Sequence, residues 1–268
     1  MGTETFVTQT KERIYLLDVP IDIVKKENLP VVIGNLLGSE GASHIVLLSL
    51  WDFLRAKRNS EYRSYVLKAD VIIPISKSLV SGVRFLTGKE SIRYLPFDFI
   101  IAVLSTLEER EHSVYLMGGK KKVLEKAEKN VRKTFPRLQV VGRYAGRLKK
   151  NRDRAILEAI RKASPSLVLV GKGIPGKELW IWRKSGKLGA GIRLWCSDIY
   201  AVFANKRRHP TDYAFKYGLE WVEFCFRKPF YFLRVFLYIY YKILLLFYKF
   251  FKNRKSPPQS GEVLNVSP

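Results

Sequence analysis

The chain has 268 residues and a formal net charge of +24, with Lys and Arg outnumbering Asp and Glu by 48 to 24. That length accommodates one large α/β domain with an appendage, or two small domains, and 47% hydrophobic residues supply a real core. Two lone cysteines (Cys196, Cys225) and three scattered histidines (His44, His112, His209) exclude a disulfide scaffold and a zinc module, leaving reduced core thiols. So basic a chain suits anionic partners: phosphates, nucleic acid or acidic lipid headgroups. The plainer reading is a solvated basic face.

Residues 1–12 read as a polar leader, without the basic and apolar regions of a signal peptide. Segment 14–24 predicts a strand and turn, and 44–51 a second strand. A surface helix is expected over 52–67, a third strand over 69–74, and a helix over 78–86 stopped by Gly88. Next come a helix over 100–109 and a buried strand over 113–117 that runs into Gly118-Gly119. A Lys-rich helix over 123–135 ends at Pro136, followed by a strand over 138–142 and a helix over 153–163. The run Leu167-Val-Leu-Val170 is uniformly apolar and half β-branched, as a parallel strand covered on both faces requires. Gly171 and Gly173 then let the backbone turn tightly and approach a ligand. Strands alternating with helices of this length indicate βαβ units, hence a Rossmann-like α/β fold: a parallel sheet flanked by helices, its ligand crevice at the strands' carboxyl ends. Residues 193–196 and 200–203 read as a strand and a short apolar turn, and 206–210 as a basic loop.

Composition changes near Pro229. Segment 230–251 is rich in aromatics and leucine, and its only charges are Arg234, Lys242 and Lys249. With Arg227 these fall within about 80° of arc on a helix, a narrow cationic stripe on an apolar cylinder. Length alone would permit a membrane span, but Lys242 near its middle would cost roughly 2.5–3.5 kcal/mol. A helix lying in the membrane interface keeps the charges wet and is the favoured reading. The alternatives are a spanning helix and a buried core or oligomer helix. Residues 252–268 read as a disordered end. The domain boundaries expected are thus a leader (1–12), an α/β domain (13–228), a membrane-associating helix (229–251) and a tail.

Several segments carry a resemblance in order: Val114-Tyr-Leu-Met-Gly-Gly119, Phe135-Pro136 with Val141-Gly142-Arg-Tyr-Ala-Gly146, Gly171-Lys-Gly-Ile-Pro-Gly-Lys-Glu-Leu-Trp180, Arg208-His-Pro210 and Gly218-Leu-Glu-Trp221. Together they resemble the TagA/WecG/CpsF glycosyltransferases, glycosyltransferase family 26, over residues from about Arg13 to Pro229. The resemblance implies a bacterial enzyme, peripheral on the cytoplasmic face of the membrane, that moves a sugar from a UDP-sugar to a lipid-linked acceptor for a cell-surface polymer. It implies no cofactor or metal, and it admits a homo-oligomer. The nucleotide-sugar candidates it marks are Gly118, Gly119, Gly142, Gly171, Gly173, Pro175, Lys177, Glu178 and Arg208.

The departures are specific. The family's catalytic aspartate falls at Ile75, a hydrocarbon that cannot accept a proton. Its polar second-strand pair falls at Leu47-Leu48-Ser49, its glutamine at Lys177, and a usual arginine at Phe224. Most glycines of its last loop have bulky replacements within 194–204. Diphosphate charge could be met by Lys177, Arg207, Arg208 and backbone N–H groups. Asp98 and Asp198 are the candidate bases, although Asp98 also suits an N-cap for a helix from Phe99. Glu178 reads equally as a first-turn helix carboxylate, Gly118-Gly119 equally as a plain turn, and Lys120-Lys121-Lys122 as a solvated face. A divergent transferase is the first reading and a non-catalytic membrane-bound binding module the second. Nucleic-acid binding rests on charge alone, with no recognition motif behind it.

Overall fold

The computed structural model describes residues 10–146, 153–174, 176, 178–206 and 233–252. The chain enters through a hairpin, β1 (Glu12–Leu16) against β2 (Val19–Ile23). Its two turn residues, Leu17 and Asp18, both have positive φ (48° and 65°), as a two-residue hairpin matching strand twist requires. Six strands follow: β3 (Ala42–Leu48), β4 (Val71–Pro74), β5 (Ser113–Met117), β6 (Gln139–Tyr144), β7 (Leu167–Val170) and β8 (Gly191–Trp195). They form a single parallel sheet in the order β4-β3-β8-β7-β5-β6. Leu167 and Leu169 join the core on one face of β7, Val168 and Val170 the core on the other. This is why that strand is apolar at every position.

Helices α1 (Leu29–Leu37), α5 (Pro96–Glu109), α6 (Lys121–Thr134) and α9 (Ile199–Phe203) cover one face of the sheet. The other face is covered by α2 (Leu50–Arg58), α3 (Ser60–Leu67), α4 (Lys77–Thr87), α7 (Asp153–Ala163) and α8 (Glu178–Lys184), together with the hairpin. The hairpin is pinned to the sheet by Arg13. Its guanidinium donates to both oxygens of the buried Asp22 at 2.7 and 2.9 Å and to the Ala69 and Asp70 carbonyls, while Asp22 also accepts the Ile72 N–H at 2.7 Å.

The Rossmann-like α/β fold expected from the sequence is present, with local differences. The strand expected over 44–51 ends at Leu48, because Ser49 turns the chain and its Oγ accepts the Asp52 N–H at 3.2 Å to cap α2. The helix expected over 52–67 is two helices. Asn59 is extended, ends α2, and accepts the Tyr62 N–H at 2.7 Å to start α3. Helix α5 begins at Pro96, so Asp98 lies in its first turn and Leu95 takes the N-cap position. Segment 199–203 is helical rather than a turn, and α1 had no counterpart in the sequence reading.

The aromatic segment forms α10 (Leu233–Phe247) and a π-helical turn (Tyr248–Lys252). Helix α10 seats against α2 and α4. The Tyr241 ring meets Phe53 edge-on at 5.7 Å, and its hydroxyl donates to the Ser78 carbonyl at 3.1 Å. Gly82 makes room for it: a Cβ there would lie 2.0 Å from the tyrosine oxygen. The opposite side of α10 exposes Phe236, Ile239, Tyr240, Ile243, Leu246 and Phe247. Lys242 is exposed, Lys249 lies 4.2 Å over the Phe85 ring, Arg234 belongs to α10, and Arg227 falls outside the described residues. Among the described residues, no helix is long and apolar enough to cross a membrane.

Deep in the sheet, His44 on β3 neighbours Arg193 on β8, and its Nε2 meets the Ser185 hydroxyl at 2.8 Å. Burial, aided by Arg193 and opposed by Asp70, lowers the imidazole from 6.5 to about 4. Between those values the unfolded chain binds a proton that the folded chain refuses. Stability is therefore complete above pH 6.5 and falls as pH drops toward 4, by about 3 kcal/mol from this group. Urea midpoints measured from pH 7.5 to 4.5 should show that slope, and His44→Gln should flatten it.

Candidate functional site

The chain leaves β5 toward β6 through α6 on one face, and leaves β7 toward β8 through α8 on the other. The carboxyl ends of β5 and β7 are therefore where the winding reverses, the place at which such sheets hold ligands. Backbone hydrogen bonds lock the strand ends together. Gly118 N–H donates to Tyr144 O at 2.8 Å, Gly119 N–H to Lys172 O at 2.6 Å, Gly146 N–H to Gly119 O at 2.7 Å and Lys172 N–H to Ser197 O at 2.8 Å. Gly118 has φ of 104°, and a Cβ there would lie 2.7 Å from the Gly171 carbonyl, so only glycine closes this junction.

Over the junction opens a cavity of about 400 Å³, a size that suits a small-molecule ligand. Gly119, Gly146 and Gly173 form part of its wall, with Lys120, Val123, Lys172, Ser197, Asp198, Tyr200 and Ala201. Lys120 is also the N-cap of α6 and gives that helix no side-chain cap, so the positive end of its dipole opens at the cavity's rim. Two lysines and an open helix end make this rim an anion-binding edge. Tyr200 forms the floor. Its hydroxyl accepts the Met117 N–H at 2.8 Å and donates to the Leu169 carbonyl at 2.5 Å, bridging β5 and β7.

A second hollow, of about 130 Å³, lies at the carboxyl ends of β3 and β4. Ser49 and Ser76 line it at the strand ends, Leu50, Trp51 and Leu54 from α2, and Leu237 and Tyr238 from α10. Ser76 Oγ accepts the Leu50 N–H at 2.9 Å.

The sequence candidates separate in space. Gly118 closes the junction, and Gly119, Gly173 and Asp198 line the large cavity. Gly171 and Gly142 face rings, since a Cβ at either would come within 2.4 Å of Tyr200 or Tyr115 respectively. Asp98 is exposed on α5. Glu178 is the first residue of α8 and 4% exposed. Its Oε1 accepts from Arg55 at 2.5 Å, while Oε2 is buried and has no hydrogen-bond partner among the described residues; Glu178 also lines a void of about 10 Å³ with Asp52 and Trp195. Such a void fits about one water. Burial raises this carboxyl, opposed by its own backbone N–H and by Arg55. Pro175, Lys177 and Arg208 lie outside the described residues. Cys196 is half-buried against the core, and Cys225 lies outside the described residues.

Sequence reasoning passed over Lys172 and Tyr200 and took Lys120 for a solvated face. The available signal was position: Lys120 and Lys172 each directly follow a glycine at the end of a buried strand. The family model for the WecG/TagA/CpsF glycosyl transferases matches residues 14–259. The chain belongs to the WecG/TagA/CpsF glycosyltransferase family. It is similar to the N-acetylglucosaminyldiphosphoundecaprenol N-acetyl-beta-D-mannosaminyltransferase of Bacillus spizizenii, 21% identical over 174 residues, which is 65% of this chain and 67% of that protein. At the position read from the sequence as this family's aspartate, the Ile75 side chain packs against the core. Its N–H donates to the Leu48 carbonyl and its own carbonyl accepts from Arg93 Nε, both at 3.0 Å.

Proposed function

We propose that the chain transfers a sugar from a UDP-sugar to a hydroxyl of a lipid-linked diphosphate acceptor at the cytoplasmic membrane surface, as a divergent member of its family. The observation that carries this reading is the cavity at the winding reversal, with three glycines in its wall, an uncapped α6 start, and Lys120 and Lys172 at its edge. In it a diphosphate would lie against the lysines and the open helix end, and the apolar floor of Val123, Tyr200 and Ala201 would meet the base or sugar. The B. spizizenii relative is named for an acceptor of the same lipid-diphosphate class. The exposed apolar side of α10, with Lys242 among its exposed residues, would lie in the lipid interface and bring the second hollow near an acceptor anchored there.

One observation favours a non-catalytic relative instead: the Ile75 side chain is spent on the core. Calorimetry with UDP, followed by UDP release from a panel of UDP-sugars with a polyprenyl-diphosphate acceptor on acidic vesicles, separates the two. Saturable UDP binding and acceptor-dependent release are expected. Removing both lysines (Lys120→Ala with Lys172→Ala) should weaken UDP binding about 10- to 100-fold, two charge-assisted contacts at roughly 1.5–3 kcal/mol each less their solvent exposure. UDP binding without release under any acceptor would leave the binding module. No UDP binding by folded protein would remove the transferase reading and leave a relative that binds lipid or a partner protein.

A further inference from the structure

Sugar transfer onto a hydroxyl forms a bond from the acceptor oxygen to the anomeric carbon, breaks the bond from that carbon to the diphosphate, and frees the hydroxyl proton. The family's usual base position cannot take that proton here. Ile75 is a hydrocarbon packed against the core, Asp98 is exposed on α5, and Asp198 lines the cavity assigned above to the nucleotide. On the transferase reading the acceptor end of the crevice is the second hollow, at the carboxyl ends of β3 and β4, and Ser49 is one of the three hydroxyl-bearing residues that line it, with Ser76 and Tyr238. Resting on the transferase reading, we propose that Ser49 receives the acceptor's proton and passes its own to Asp52.

The geometry is already set for that relay. Ser49 Oγ donates to Asp52 Oδ2 at 2.5 Å and accepts the Asp52 N–H at 3.2 Å. A hydroxyl has one donor and two acceptor sites, so one lone pair of Oγ remains for an incoming hydroxyl. Asp52 lines the small void behind the serine and not the acceptor hollow, so its carboxylate reaches that hollow only through the serine. Charge balances: the acceptor proton goes to Ser49 Oγ, the serine proton to Asp52, and UDP leaves with the bonding electron pair. Asp52 then returns its proton to solvent before the next cycle. Ser49 is the catalytic residue of this step, and Asp52 acts through it as the positioning residue and proton store.

The same Ser49-x-x-Asp52 spacing caps α2, so a structural role must be distinguished. Asp52→Asn makes the distinction, because an amide oxygen still accepts the serine hydroxyl and keeps the cap but cannot store a proton. In acceptor-dependent UDP release by the full chain on acidic vesicles, Asp52→Asn and Ser49→Ala should each lower kcat by about 10²–10⁴-fold. UDP affinity and donor KM should stay within about twofold, and Ser49→Thr should recover kcat to within about tenfold of wild type. Wild-type kcat in Asp52→Asn would overturn the relay alone. A wild-type chain that releases no UDP would overturn the transferase reading and the relay with it.

Discussion

Asp22→Ala should lower the unfolding free energy by about 3–5 kcal/mol, read as a lower urea midpoint at unchanged slope. The side chain is fully buried, and three N–H groups converge on it: two from Arg13 and one from Ile72. Truncation strands the guanidinium beside the Ala69 and Asp70 carbonyls and leaves the Ile72 N–H unpaired inside β4. A domain of ordinary stability, about 5–15 kcal/mol, would lose a large share of it. The pair matters through its removal more than its presence. Replacing both partners with apolar residues, as in Arg13→Met with Asp22→Leu, should recover most of the loss, since the cost lies in the orphaned charge. No recovery in the double variant would mean that the pair itself holds the hairpin in register.

Tyr200→Ala should cost a similar amount, about 3–5 kcal/mol, and abolish UDP binding. The ring is 2% exposed, packs against Gly171 and Gly119, and forms the cavity floor. Deleting it opens a void under the cavity proposed to hold the nucleotide and strands the Met117 N–H and Leu169 carbonyl that its hydroxyl joins. Tyr200→Phe separates the two effects. It keeps the floor and loses only the bridge, so it should cost about 1–3 kcal/mol while leaving UDP affinity close to wild type. Thermal melts and calorimetry on both variants check this. UDP binding by Tyr200→Ala equal to wild type would move the nucleotide off this floor.

What the sequence disclosed follows from how local the cause is. Strands β5 and β7 and helix α7 were legible to the residue, because an apolar run or stripe bounded by polar residues or glycine needs no distant partner to define it. The boundary at Ser49 was not. Leu50 and Trp51 continue the apolar run of β3, and only the serine's bond to Asp52 N–H turns it into a helix start. Asn59 divided one expected helix for the same reason, through a single side-chain oxygen. At the site, Gly118, Gly119 and Gly173 were legible because glycines at strand ends mark the crevice. Glu178 follows that loop directly, yet Arg55 of α2, over a hundred residues away in sequence, holds it beneath α2. The role of Tyr200 depends likewise on Gly171 and Met117, contacts that no local pattern encodes.

The strand order has a consequence for how the chain is made. Strand β8 is the last of the sheet to leave the ribosome, yet it lies between β3 and β7. Until Trp195 emerges, the nascent chain holds two separate pieces, β3 with β4 and β7 with β5 and β6, each with an open apolar edge facing the gap. Such edges pair indiscriminately, so chaperone dependence should concentrate in the interval before β8 arrives. A chain truncated after α8 should aggregate rather than fold as a smaller domain, because it lacks the strand on which both halves close.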